Sequence, residues 1–284
     1  MITKHGFAKI VRNASIYVFL VAGAISMVLP FLWMLSTSLK SYSSVFIFNI
    51  NQIQWLPNPV YWGNYINVWK VVPFARFYFN SLFVCVAVTI AQVMTSAMAA
   101  YAFSRLRFPG REKLFFSYLA TMMIPASVTL IPVFVLMRIF GWVDTYKALI
   151  IPAAFSAYGT FMLRQFFMTI PRDLEDAAKI DGCSYAGIFM RMILPLSKTA
   201  LATLTVFVAL GNWVSFMWPL LVTNSIEKRT LPVGLAYFQE LYQYAQPDWG
   251  LLMAGSLVTM VPVMIIFVFS QKFFVEGIKL TGMK

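Results

Sequence analysis

From Ser81 to Phe103 the chain reads SLFVCVAVTIAQVMTSAMAAYAF, with no charged side chain anywhere in it. A helix needs about 20 predominantly apolar residues to cross the hydrocarbon core of a bilayer, so this stretch reads as a membrane-spanning helix. Working outward, five more runs share the character: Ser15–Ser38, Leu114–Met137, Ala148–Phe167, Thr199–Val222 and Leu251–Ser270. No charge falls near the middle of any of them, and in the fourth Arg164 and Gln165 enter only the last turn. Pro30, Pro125, Pro152 and Pro262 interrupt runs, which is tolerated where neighbours satisfy the freed backbone groups. The expected fold is all-α: a polytopic membrane protein with six transmembrane helices.

Composition agrees. Of 284 residues 60% are hydrophobic and 11% charged, against roughly 25% charged in an ordinary soluble domain. The net charge of +12 does not point to nucleic acid, because Lys and Arg sit in short segments between apolar runs rather than on one aromatic-laced face. Cys85 and Cys183 lack metal-ligand spacing and are expected to be reduced. His5 is the single histidine and lies in the basic N-terminal tail. No metal site and no catalytic residue are expected.

Basic residues orient the chain. With the N-terminus inside, the inner segments hold 15 Lys and Arg and the outer ones 7, so both termini are expected to be cytoplasmic. Residues 1–284 then form a single transmembrane domain, with a cytoplasmic tail over 1–14, an outer loop over 39–80, a cytoplasmic loop over 168–198 between helices 4 and 5, and a second tail over 271–284. The first run outlasts the 7–15-residue core of a signal peptide and is read as a retained helix. Trp55, Tyr61, Trp62, Tyr65 and Trp69 crowd the outer loop, suited to an interfacial belt or to contact with a docking protein.

The loop after the fourth run carries the most information. Acidic Asp173, Glu175 and Asp176 follow Pro171, which suits a first helical turn whose dipole they complement. Leu174, Ala177, Ala178 and Asp181 recur at helical spacing as a small-residue face. Gly182 suits the left-handed residue past a helix end, and Ser184 can cap a second helix. The expectation is helix, glycine turn, helix, outside the bilayer. Such a helix can rest on lipid headgroups or let a partner surface come close.

Asp176-Ala177-Ala178, three residues, Gly182, nine residues, then Met192-Ile193-Leu194-Pro195 resembles the EAA loop of ABC importer permeases. Leu163-Arg164-Gln165-Phe166-Phe167, Ile170-Pro171 and Met122-Met123-Ile124-Pro125 are similar to the maltose-type carbohydrate branch. Asp176 stands where that family usually has Glu, and Met192 where it usually has Ile. The resemblance implies a bacterial inner-membrane, multi-pass permease that couples to an ATPase through Asp176, Ala177, Ala178, Gly182, Leu194 and Pro195. It implies three kinds of neighbour besides membrane lipid: a second homologous permease subunit, two cytoplasmic ATPase subunits and an extracytoplasmic solute-binding protein. ATP and Mg would sit on the ATPase subunits; this chain has no Gly-x-x-x-x-Gly-Lys-Ser/Thr loop and is expected to bind no cofactor. The tail Glu276–Lys284 also resembles the family's C-terminus, which can approach the ATPase interface.

A solute path needs polar groups beside an aromatic face. Asn212 and Ser215 are three apart, with Phe216 four from Asn212, so one helix face would hold all three. Asn80, just before the second run, and Gln92 within it are further candidates. Interhelical hydrogen bonding is the competing reading of such residues, and the one the residues alone favour. The alternative function, an ion-coupled secondary transporter, predicts intramembrane charges and repeated halves, and the sequence displays neither.

Overall fold

The computed structural model describes residues 4–42, 55–241 and 248–282, with side chains over 12–42, 55–238 and 248–271. Among the described residues it is helical throughout, with no strand. Two packing units emerge, one of residues 1–72 and 237–259, the other of 73–236 and 260–284.

In the first unit, α1 (Lys4–Ser38) carries the first apolar run and α2 (Gly63–Val71) lies in the expected outer loop. Asn64 ties the two together, its amide donating to the Ser38 and Lys40 carbonyls at 2.8 Å each. The Ser38 hydroxyl meets Tyr65 OH at 2.8 Å, and Tyr61 N–H donates to Leu39 O. A side chain at Gly250 would come within 2.8 Å of the Lys40 carbonyl, so this meeting of segments requires glycine. Trp55, Trp62 and Trp69 remain exposed, as a headgroup-level belt would be.

The second unit is built on α3 (Phe74–Arg105), which begins at Phe74 rather than Ser81 because Pro73 marks its start. It is followed by α4 (Arg111–Ala120), α5 (Ala126–Ile139), α6 (Tyr146–Ile150) and α7 (Ala157–Met168). Next come α8 (Asp173–Ile180), α9 (Tyr185–Ile188), a π turn over Phe189–Ile193 and α10 (Leu194–Leu196). Four more helices complete the chain: α11 (Lys198–Trp213), α12 (Met217–Val222), α13 (Leu231–Leu241) and α14 (Trp249–Gly282).

Helix α3 is flanked by α7 and α11, and Val88, Ala97, Ala100, Leu163, Phe167 and Leu204 are wholly buried between them. The approach to α7 is close: a Cβ at Gly159 would lie 2.6 Å from Ser96 Oγ and 3.3 Å from Leu204 Cδ2. Asp144, at φ +63, fastens the α5–α6 connection. Its Oδ1 accepts from Asn224 N–H, Ser225 N–H and the Ser225 hydroxyl at 2.9–3.0 Å.

Among the described residues three helices are long and apolar enough to cross a membrane: Arg12–Ser38, Phe74–Arg105 and Trp249–Gln271. These carry the first, second and sixth runs. The middle runs are not straight rods. In the third, Pro125 forces Ile124 into extended backbone, and the halves Arg111–Met123 and Ala126–Ile139 meet at 102°. In the fourth, a 3₁₀ turn at Pro152 and extended Phe155 separate α6 from α7, whose first turn the Ser156 hydroxyl caps at 3.0 Å. The fifth stops at Trp213 and resumes at Met217. Counting as one span both the third-run pair and a second, Tyr185–Leu196 with Lys198–Trp213 at 79°, gives up to five among the described residues, so length and composition alone do not reach six there.

Candidate functional site

The loop after α7 takes the local form its residues dictate. Asp173, Glu175 and Asp176 open α8, while Pro171 lies just outside it, ahead of the Arg172 cap. Gly182, at φ +80, closes it. Its N–H donates to Lys179 O and the next N–H, of Cys183, to Ala178 O at 2.9 Å, the paired bonds of a Schellman turn. The Ser184 hydroxyl then caps α9, accepting from Gly187 N–H at 3.2 Å. Beyond it the π turn places Leu194 N–H on Phe189 O. This widening accommodates Pro195, which has no N–H to give the Arg191 carbonyl.

What holds the loop in place was not visible in the sequence. Arg105, at the end of α3, reaches Glu175 on α8, with Nε 2.9 Å from Oε1 and both side chains under 8% exposed. Its Nη2 also donates to the Phe167 and Ile170 carbonyls, the latter at 2.7 Å. One guanidinium therefore binds the end of α7 and the inner face of α8. Arg164, read as a charge intruding on the fourth run, is 3.2 Å from Glu112 and 4.0 Å from the Phe115 ring centroid. Neither pairing has a local signal, since its partners are 70 and 52 residues apart in the chain.

The expected small-residue face is split. Ala178 turns inward, 7% exposed, into the core with Ile188 and Ile193. Its methyl group lets α8 sit close to the bundle. Leu174, Ala177, Ile180 and Asp181 face outward, Ile180 at 87% exposure. On the same exposed side Lys179 Nζ donates to Asp176 at 2.8 Å. That bond, with the charges of Lys179, Arg172 and Arg107, holds the Asp176 carboxyl below its ordinary value of 3.8. Leu194 is half-buried and Pro195 exposed.

A cavity of about 310 Å³ opens among α3, α5, α6, α11 and α12. Asn212, Ser215, Thr129, Thr230 and Trp218 are on its wall. The Asn212 side-chain amide donates to Val208 O at 2.9 Å, and its Oδ1 has no donor among the described residues. The buried Thr230 hydroxyl is unpartnered there as well. Asn212 also borders a second hollow of about 390 Å³ with Gln92, Tyr158 and Phe207.

Two candidates stand elsewhere. Phe216 lines neither hollow, because α11 ends at Trp213 and the break removes it from the face of Asn212. The aromatic on the cavity wall is Trp218, whose indole N–H donates to Ala148 O at 2.9 Å. Asn80 is wholly buried, and its amide is occupied by Glu227 O, Arg229 O and Tyr146 OH at 2.7–2.8 Å. It clamps the chain before α13. Both cysteines are free, and among the described residues no cluster suits a metal. The side chains of His5 and the Glu276–Lys284 tail lie outside those described.

Comparison with known proteins gives consistent results. The model of the binding-protein-dependent transport system inner membrane component family matches residues 92–280. The arabinooligosaccharides transport system permease protein AraQ of Halalkalibacterium halodurans is 37% identical over 72% of each chain. The probable ABC transporter permease protein YurM of Bacillus subtilis is 33% identical over 94% of this chain and 87% of its own. The sn-glycerol-3-phosphate transport system permease protein UgpE of Pectobacterium atrosepticum is 34% identical over 78% and 81%. Among solved structures, a chain of a bacterial ABC transporter involved in import of the acidic polysaccharide alginate superposes with TM-score 0.82 at 26% identity. That match covers 96% of this chain and 99% of the other. A chain of the alginate transporter bound to a pentasaccharide-loaded periplasmic protein shares the fold at TM-score 0.66 and 14% identity.

Proposed function

The chain belongs to the binding-protein-dependent transport system inner membrane components, and from that premise we propose that it forms half of the path by which a carbohydrate or carbohydrate-derived solute enters the cell. It is a permease subunit of an ABC importer, not an enzyme, and the ion-coupled alternative is set aside by its family. The observation that carries the coupling half of the reading is the α8–α9 loop. Its inner face is pinned to α3 by Arg105 and Glu175, while Leu174, Ala177 and Ile180 stand exposed for a partner. That face docks into a cytoplasmic ATPase subunit, and movement of the docked helix is passed to α3 through the ion pair.

The assembly has a second permease subunit, two ATPase subunits holding ATP and Mg, and an extracytoplasmic binding protein. Residues 1–284 act as one transmembrane domain of six crossings, the bent runs each counting as one, with both termini cytoplasmic. Solute class is supported by the arabinooligosaccharide, glycerol phosphate and alginate relatives and by the cavity itself. Its volume is at the lower end of small-molecule sites, about 300–1,000 Å³, and it sets the Trp218 ring beside the polar groups of Asn212, Ser215 and Thr230.

The test is uptake by reconstituted complex. Solute should accumulate only with ATP, the ATPase subunits and loaded binding protein, and Cys183, which is exposed, should react with impermeant thiol reagents from the cytoplasmic side alone. Uptake by this chain alone on an ion gradient would contradict the reading, and labelling of Cys183 from outside would invert the topology.

A further inference from the structure

Three cations meet where separate parts of the second unit end. Arg107 follows α3, Lys113 lies in the first turn of α4, and Arg172 caps α8; with Arg111 and Glu112 they line a hollow of about 580 Å³. Glu112 is the one carboxylate on its wall, and it is already shared by Arg111 at 2.8 Å and Arg164 at 3.2 Å. Among the described residues Arg107, Lys113 and Arg172 have no carboxylate within ion-pair distance. The N-terminal turn of α4 adds partial positive charge on the same wall. Asp176 feels the charges of Arg172 and Arg107 but forms its ion pair with Lys179. The basic side chains on this wall therefore still outnumber the carboxylates near them and repel one another, and the arrangement calls for an anion.

We propose that this hollow binds the phosphate headgroup of an anionic phospholipid. Position decides for lipid over a soluble anion. The hollow lies at the foot of α3, a helix long and apolar enough to span, where a headgroup layer begins. On α4, which rises from it, Leu114 and Phe116 are 56% and 65% exposed, available to acyl chains. Basic pockets at the ends of membrane helices are well suited to such headgroups. The site is separate from the cavity and uses none of Leu174, Ala177 and Ile180, the exposed side of α8, although Arg172 caps that helix.

Native mass spectrometry of the assembled transporter in micelles mixing phosphatidylglycerol with phosphatidylcholine tests this. Wild type should retain one phosphatidylglycerol per copy of this chain, and lose it as salt rises. Arg107→Gln with Arg172→Gln should weaken retention roughly fivefold per cation removed, about 25-fold together. Arg191→Gln with Lys198→Gln, which removes equal charge at residues that do not line the hollow, should leave retention unchanged. Equal loss in both double variants would show bulk charge at work and overturn the site. Displacement of the lipid by millimolar inorganic phosphate would assign the hollow to a free anion instead. Should the first variant fail to assemble, wild type still decides, since salt-insensitive retention or no preference over phosphatidylcholine rejects the proposal.

Discussion

Helices α1 and α3 are equally good membrane spans by composition and very different by packing. The most apolar window of α1 has mean hydropathy 2.3 and buries nothing within the chain; that of α3 has 2.0 and is 33% buried. Hydropathy measures transfer into an apolar solvent, and lipid and protein core are both apolar. It therefore cannot tell a helix that lines a core from one that faces lipid or another subunit. Small residues show the contrast best. Gly23 of α1 has nothing within 4 Å of the place a Cβ would occupy, whereas at Gly159, packed on α3, that place is 2.6 Å from Ser96 Oγ.

The largest effect is expected where α3 ends. Arg105→Gln strands a buried carboxylate, so the purified chain should lose about 3–5 kcal/mol, seen as a large drop in melting temperature. Removing both charges, with Arg105→Gln and Glu175→Gln together, should recover part of it. A double variant no better than the single would mean that the two carbonyl contacts, not the ion pair, hold the loop. Next is Gly159→Leu, which overpacks the α3–α7 crossing by about 1–3 kcal/mol. The same change at Gly23 should leave the isolated chain as stable as wild type, and any defect should emerge only in subunit pairing. Equal destabilisation by both would erase the distinction between the two helices.

Smaller still is Gly182→Val. Space is open there, so the penalty is that of backbone alone, about 1–2 kcal/mol for a side chain at positive φ. Insertion and assembly should survive while transport and solute-stimulated ATP hydrolysis fall. Normal transport would reduce the loop to an interfacial helix. Asp176→Ala should give the mildest form of that defect, with little change in melting. The carboxyl's folded pKa is depressed, so whatever the pair with Lys179 contributes is complete above the ordinary value of 3.8 and lost only as pH falls through the lowered one. Assays at neutral pH therefore see the pair intact, and a transport defect that varied between mildly acidic and neutral pH would have to arise elsewhere.

Uninterrupted runs and local caps could be read directly. The spans of α1, α3 and α14 follow from apolar length, and the turn at Gly182 and Ser184 follows from residue types that act within a few positions. The bends of the middle runs are not legible, because an apolar stretch keeps its hydropathy whether or not it bends. Pro125 and Pro152 marked the breaks, but how sharply the chain turns there depends on neighbours. Phe216 was lost for the same reason, as helical spacing was projected across a break after Trp213. Ala178 was assigned to the free face because composition does not say which side of a helix is covered. Arg105 with Glu175, and Asn80 with Tyr146, are contacts across 70 and 66 residues that no local pattern announces.

The right-angled bend at Pro125 has a consequence for permeability. A helix that stops and restarts leaves its last carbonyls and its next N–H groups without intrahelical partners, and hydrocarbon has no hydrogen bond to offer them. Ala126, Thr129, Leu130 and Val133, just past the bend, form one wall of the cavity. Backbone broken at membrane depth is stable where it borders water, so this wall favours a wet passage even between transport cycles. A wet passage leaks unless something closes it above or below. On the proposed function the seal would fall to the second permease subunit, which gives a chain bent in this way a reason to work as one of a pair.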